Sequence, residues 1–207
     1  MNIEQKIAQA LIKIGAVSFV VNDPVTFKSG IKSPVYVDNR KFPFHPKEWE
    51  SVIRSFAEII ERDNINFDII AGVEAAGIPH SAGLGFFLKV PSVFVRKQVK
   101  DHGTKKKIEG GDVAGKRVLL IEDVVSAGCS SLAGVSALRA EGAIVDDCLV
   151  ILSYGFDEAR EGFEKAKVRL HTLTSFPVIL EEAKRQKILN TDGLKIVEDW
   201  ILKHVIK

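Results

Sequence analysis

The segment Arg117–Ser131, RVLLIEDVVSAGCSS, constrains the fold more than any other part of the chain. Val118-Leu119-Leu120-Ile121 is an unbroken aliphatic run without polar alternation. That is the pattern of a strand covered on both faces, as in a parallel sheet. The run is expected to stop at two adjacent carboxylates, Glu122 and Asp123. Small residues follow, Val124-Val125-Ser126-Ala127-Gly128-Cys129-Ser130-Ser131, and lead into LAGVSALRAEG, whose apolar spacing is helical. A strand that turns through small residues into a helix aims main-chain N–H groups and the positive helix end at one point, which suits a phosphate. Two carboxylates at the same edge suit hydroxyls, or a metal ion carried by the ligand.

The rest of the chain repeats this strand–helix alternation. Apolar spacing predicts helices over 3–14, 47–61, 78–88, 157–165, 176–187 and 193–206, and strands over 67–71, 92–95, 143–152 and 168–173. Gly15 ends the first helix, and the prolines of 42–46 mark a loop. The pattern predicts an α/β fold, a mostly parallel central sheet flanked by helices, with ligands at the carboxyl edge of the strands. At 207 residues the chain is long enough for one well-cored domain. We expect a single domain over 1–207 whose first 45 or so residues form a hood over that edge.

A net charge of +2 gives no general field for nucleic acid. The two cysteines, Cys129 and Cys148, lack metal-ligand spacing, and Cys148 sits in an apolar run as a small hydrophobe. The amphipathic start, with Glu4 inside it, is unlike a signal peptide, and no apolar run approaches membrane-spanning length. The expectation is a cytoplasmic protein with neither nucleic acid nor membrane as partner. His45 and His80 read as structural.

Three more segments carry chemistry. FKSGIKSPVYVD, residues 27–38, reads as a tight turn between short strands, with Gly30 at the bend and Pro34 opening the second strand. Gly72-Val73-Glu74-Ala75-Ala76-Gly77 leaves room for a ligand against bare backbone. RKQVKDHGTKKKIEG, residues 96–110, has no apolar periodicity and carries Arg96, Lys97, Lys100, His102, Lys105, Lys106 and Lys107. It suits a lid that polyanionic charge orders when it closes. It lacks the interleaved aromatics of a nucleic-acid surface.

The acid-and-loop segment resembles the phosphoribosyl-pyrophosphate (PRPP) signature of the type I phosphoribosyltransferases. The hairpin and the basic loop resemble the orotate-specific branch of that family. The resemblance implies the type I fold and the reaction of orotate with PRPP to give orotidine 5′-phosphate and pyrophosphate. It implies that Glu122 and Asp123 hold the ribose hydroxyls and that Val124, Val125, Ser126, Ala127, Gly128, Cys129 and Ser130 surround the 5-phosphate. Lys28, Arg96, Lys97, Lys100 and His102 would meet PRPP and its pyrophosphate. Phe27, Lys28 and Ser126 would border orotate, with Lys100, His102 and Asp123 as the catalytic set. Mg²⁺ is implied as cofactor, riding on ligand oxygens and water with no named protein ligand. A homodimer that shares its active sites across the interface is implied as well. Ala127 stands where relatives often have Thr, and Cys129 where Gly is common. Some relatives also place a lysine near Ala76, which leaves more of the pyrophosphate charge here to Lys97 or Lys100. Tyr154-Gly155-Phe156 would border the base pocket, and Arg160 takes no assignment. Two other readings fit parts of the pattern: transfer to another base such as a purine, and a PRPP-sensing regulator acting on nucleic acid. The hairpin argues against the first and the intact basic loop against the second.

Overall fold

The computed structural model describes residues 1–27, 30–97 and 107–204. Helix α1 (Ile3–Lys13) is capped by the Asn2 side chain, which accepts from the Gln5 N–H at 2.9 Å. Strands β1 (Val17–Phe19), β2 (Val25–Thr26), β3 (Lys32–Ser33) and β4 (Val35–Val37) follow, then a 3-10 turn over Asn39–Phe44. After helix α2 (Pro46–Arg62) the chain enters the alternating body. Its elements are β5 (Ile69–Val73), α3 (Gly77–Leu88), β6 (Ser92–Val95), β7 (Ile108–Glu109), β8 (Arg117–Val125), α4 (Cys129–Ala140) and β9 (Ile144–Ser153). α5 (Asp157–Lys165), β10 (Arg169–Ser175), α6 (Phe176–Arg185) and α7 (Thr191–His204) complete the chain.

Six strands form one sheet in the order β10-β9-β8-β5-β6-β7, all parallel except the short β7, which runs antiparallel to β6. The chain first builds rightwards from β5 to β6, then crosses to the other side of β5 for β8, β9 and β10. The reversal makes the carboxyl ends of β5 and β8 a switch point, where the loops that follow diverge and leave a crevice. Each sheet face has its own core. Leu119, Ile121, Leu149 and Ile151 pack on the α1, α2, α6 and α7 side; Val118, Leu120, Cys148 and Val150 pack on the α4 and α5 side. Strand alternation produces that division, and the aliphatic run of β8 is buried on both faces as its pattern requires.

The N-terminal expectation needs two corrections. The hairpin turn closes between β2 and β3, with Gly30 at φ +84°. The strand after Pro34 instead pairs back with β1, which the sequence did not suggest. The segment from Asn39 to Phe44 is an ordered 3-10 turn rather than an irregular loop, started by the Asp38 carboxylate accepting from the Arg40 N–H. Two strands also run further than their patterns indicate: β5 to Val73 and β8 to Val125.

The last helix holds the hairpin in place. The Trp200 indole N–H donates to the Lys32 carbonyl at 2.7 Å, and its ring meets those of Tyr154, Phe156 and Phe176. Trp200→Phe keeps most of the ring packing and removes that donor. We expect a loss of about 1 kcal/mol in denaturant unfolding. A variant as stable as the wild type would take this bond out of the fold's support.

Candidate active site

β8 delivers the two carboxylates to the switch point. Glu122 is 4% exposed. It accepts from the Ser130 hydroxyl at 2.9 Å and from the Asp123 N–H at 3.2 Å. Asp123 lies next along the strand, and its carbonyl accepts from the Asn39 side-chain amide at 2.7 Å. Neither acid ends the strand, since β8 continues to Val125. Burial is the main force on both: it raises the Glu122 carboxyl well above the usual range, with the Asp123 charge second, and it raises Asp123 too. The Asp123 charge disfavours ionisation of Glu122, while a hydrogen bond from Glu122 favours the ionised Asp123. Hydroxyl donors placed on the pair would favour the ionised state, as a bound sugar diol does.

The loop after β8 is shorter than expected. Val125 is 1% exposed and belongs to the core, with its carbonyl taken by the Tyr154 N–H at 2.7 Å. The turn itself is Ser126-Ala127-Gly128, and Gly128 at φ +80° starts α4 with no side-chain cap. The first-turn N–H groups of that helix are therefore offered to a ligand, as at other anion-binding helix starts. Cys129 is exposed on this first turn, and Cys148 is fully buried.

Gly72 and Gly77 do a different job from the one their sequence suggests. A Cβ on Gly72 would strike the Ser81 hydroxyl and come 2.7 Å from the Gly77 carbonyl. A Cβ on Gly77 would lie 2.6 Å from the Ile121 carbonyl. Both positions are small so that α3 can lie directly on β5 and β8. Between them, the Glu74–Ala75 peptide is cis, and the Glu74 carboxylate accepts from the Lys97 N–H at 2.8 Å.

The basic loop begins and ends at this edge. Arg96 forms an ion pair with Glu109 at 2.9 Å, and its N–H donates to the Lys107 carbonyl at 2.8 Å. Arg96, Lys97 and Lys107 line one crevice together with Ser130. Lys28, Lys100 and His102 lie outside the described residues. Phe27 packs edge-on against Tyr154, ring centres 4.8 Å apart, and so tethers the hood to the end of β9. Arg160 is exposed and paired with Asp157 on its own helix. His80 is fully buried, and its Nδ1 accepts from the Trp49 indole. Burial pushes His80 down to about 4, which fits a neutral core histidine. Sequence reasoning missed Asn39 and Arg40. The Asp38-Asn39 pair signals a turn, but no local pattern reveals that Asn39 reaches a carbonyl far along the chain.

Among the described residues, no group of three or more His, Cys, Asp or Glu side chains is arranged to hold a metal. The acid pair alone is too small a donor set for an all-protein Mg²⁺ cage, and it fits a Mg²⁺ that arrives on phosphate oxygens. Among the same residues, no helix is long and apolar enough to cross a membrane.

This geometry has close relatives. Residues 44–204 match the family model described as the phosphoribosyl transferase domain. The orotate phosphoribosyltransferase of Coxiella burnetii is 39% identical over 183 residues, covering 88% of each chain. The crystal structure of orotate phosphoribosyltransferase from Aeropyrum pernix superposes with a TM-score of 0.76 at 30% identity, over 86% of this chain and 98% of that one. Leishmania donovani UMP synthase superposes at 0.84 and 25% identity; 96% of this chain is covered, but it spans only 42% of that larger protein. A cradle for phosphate beside paired acids, on this sheet order and with these relatives, places the chain in the phosphoribosyl transferase family, among its orotate phosphoribosyltransferase members.

Proposed function

We propose that this chain transfers the 5-phosphoribosyl group of PRPP to orotate, giving orotidine 5′-phosphate and pyrophosphate in pyrimidine nucleotide synthesis. The observation that carries the reading is the pair of buried Glu122 and half-buried Asp123 beside the uncapped start of α4, at a sheet switch point flanked by cations. The reaction needs no protein nucleophile. As the bond to pyrophosphate loosens, positive charge builds on the ribose and negative charge on the leaving group, and the orotate ring nitrogen attacks the same carbon. The chain's task is to hold both charges and to exclude water.

Glu122 and Asp123 accept the ribose hydroxyls, and the Ser126–Ser130 turn receives the 5-phosphate through main-chain N–H groups. Arg96, Lys97, Lys100 and Lys28 face the pyrophosphate, and His102 donates to it or moves a proton. Phe27 and the hairpin cover the base beside Ser126. A Mg²⁺ carried on PRPP oxygens beside Glu122 and Asp123 would supply further positive charge at the leaving group. The active form is a homodimer. Two exposed aromatic side chains that a second copy would cover support this, Phe86 at 77% and Phe44 at 85% exposure. A cytoplasmic location fits a chain that consumes PRPP.

The direct test follows orotate absorbance with PRPP and Mg²⁺, with adenine, hypoxanthine and uracil as competitors. Consumption of orotate alone supports the reading; pyrophosphate release with a purine instead would replace it. Asp123→Asn should lower kcat/KM for PRPP roughly 10–100-fold, since hydrogen bonds to a charged acceptor contribute about 1.5–3 kcal/mol. Steady-state kinetics at saturating orotate decides this, and wild-type values would remove Asp123 from the ribose site.

A further inference from the structure

We propose that Asn39, on the turn that joins the hood to α2, is the positioning residue for Asp123 and fixes its main chain. The inference rests on the reading above, in which Asp123 accepts a ribose hydroxyl.

Asn39 is fully buried, and its amide hydrogen bond to the Asp123 carbonyl joins residues 84 positions apart. The pairing of β5 with β8 ends at Gly72 and Ile121. Asp123 lies two residues past that end, and the Asn39 amide supplies a donor to its carbonyl from the hood. The orientation of the amide follows, because the opposite one would set oxygen against oxygen. Its Oδ1 then has no partner among the described residues. A buried acceptor left unsatisfied opposes folding, and such exceptions concentrate where a side chain serves a site rather than the core.

Arg40 is held in place beside it. Its Nε donates to the Asp38 carboxylate at 2.6 Å and its Nη2 to the Tyr36 hydroxyl at 3.2 Å. The hood therefore does more than cover the base, because the turn that joins it to α2 sets the position of an acid in the body.

Asn39→Leu has nearly the volume of the original and removes both the donor and the unsatisfied acceptor, so its fold should survive. By calorimetry it should bind PRPP about 10-fold more weakly. Its KM for PRPP should rise by a similar factor with kcat nearly unchanged, since the ribose contact exists before and during the reaction. Asn39→Ala should agree. Wild-type PRPP affinity in either folded variant, or a lower melting temperature with affinity intact, would make Asn39 purely structural and overturn the proposal. A wild type that binds PRPP but never consumes orotate would sink the transfer reading and leave this inference standing on the binding data.

Discussion

Lys100→Ala should lower kcat about 100–1,000-fold while orotate binds almost as tightly as before. The leaving pyrophosphate gains negative charge as its bond to the ribose loosens. A cation that meets that charge stabilises the transition state more than the ground state, so its loss appears in kcat. The anchoring of the basic loop strengthens the expectation. Arg96 is already paired with Glu109, and the Lys97 N–H is bound by Glu74, so the loop base is tied to β7 and to the turn after β5. Part of the Arg96 charge is thereby neutralised before any ligand arrives. No lysine stands near Ala76 to take up the load. In the proposed reaction Lys100 is the loop cation assigned to the charge that develops on the leaving group. Steady-state turnover and equilibrium orotate binding, measured on one preparation, separate the two effects. An unchanged kcat would take Lys100 out of the reaction. A loss confined to KM would make the loop a binding device rather than a lid that acts in the transition state.

The acid pair and the turn after it were more legible in the sequence than the hood that supports them. Glu122, Asp123 and the Ser126–Gly128 turn were legible because strand, acids, turn and helix are consecutive, and local order alone brings them together. Most helix limits were legible for the same reason, each face having a single period, as in α2 and α5. The strand limits were less clear. β8 extends through its acids because β9 still pairs with Val124 and Val125, and that support comes from a distant segment. The pairing of β1 with β4 was hidden because a three-residue strand has too few positions to show a period. Asn39 was hidden because its partner is a carbonyl, and every residue carries one. The glycines at 72 and 77 were recognised as requiring smallness, but one sequence cannot say whether a ligand or the chain itself occupies the space.

That last ambiguity leads to the second large effect. Gly77→Ala should destabilise the protein by about 2–4 kcal/mol and lower the melting temperature by roughly 5–15 °C. The added Cβ would sit 2.6 Å from the Ile121 carbonyl and 3.5 Å from the Glu122 Cα. Both neighbours are backbone, so no side chain can rotate away. Relief requires α3 to lift from β8 or β8 to bend, and β8 is held between β5 and β9. Bending would displace the Ile121–Asp123 segment, so PRPP use should fall further than stability alone explains. Gly83→Ala is the control on the same helix. Its Cβ would meet the Trp49 ring at 2.9 Å and the Ile53 side chain at 3.1 Å, contacts that side-chain shifts can relieve, far from the acid pair. It should cost less stability and leave KM for PRPP near the wild-type value. Thermal unfolding with PRPP kinetics on both variants tests the difference. A Gly77→Ala protein as stable and active as Gly83→Ala would mean that α3 is not seated on the strand that carries the acids.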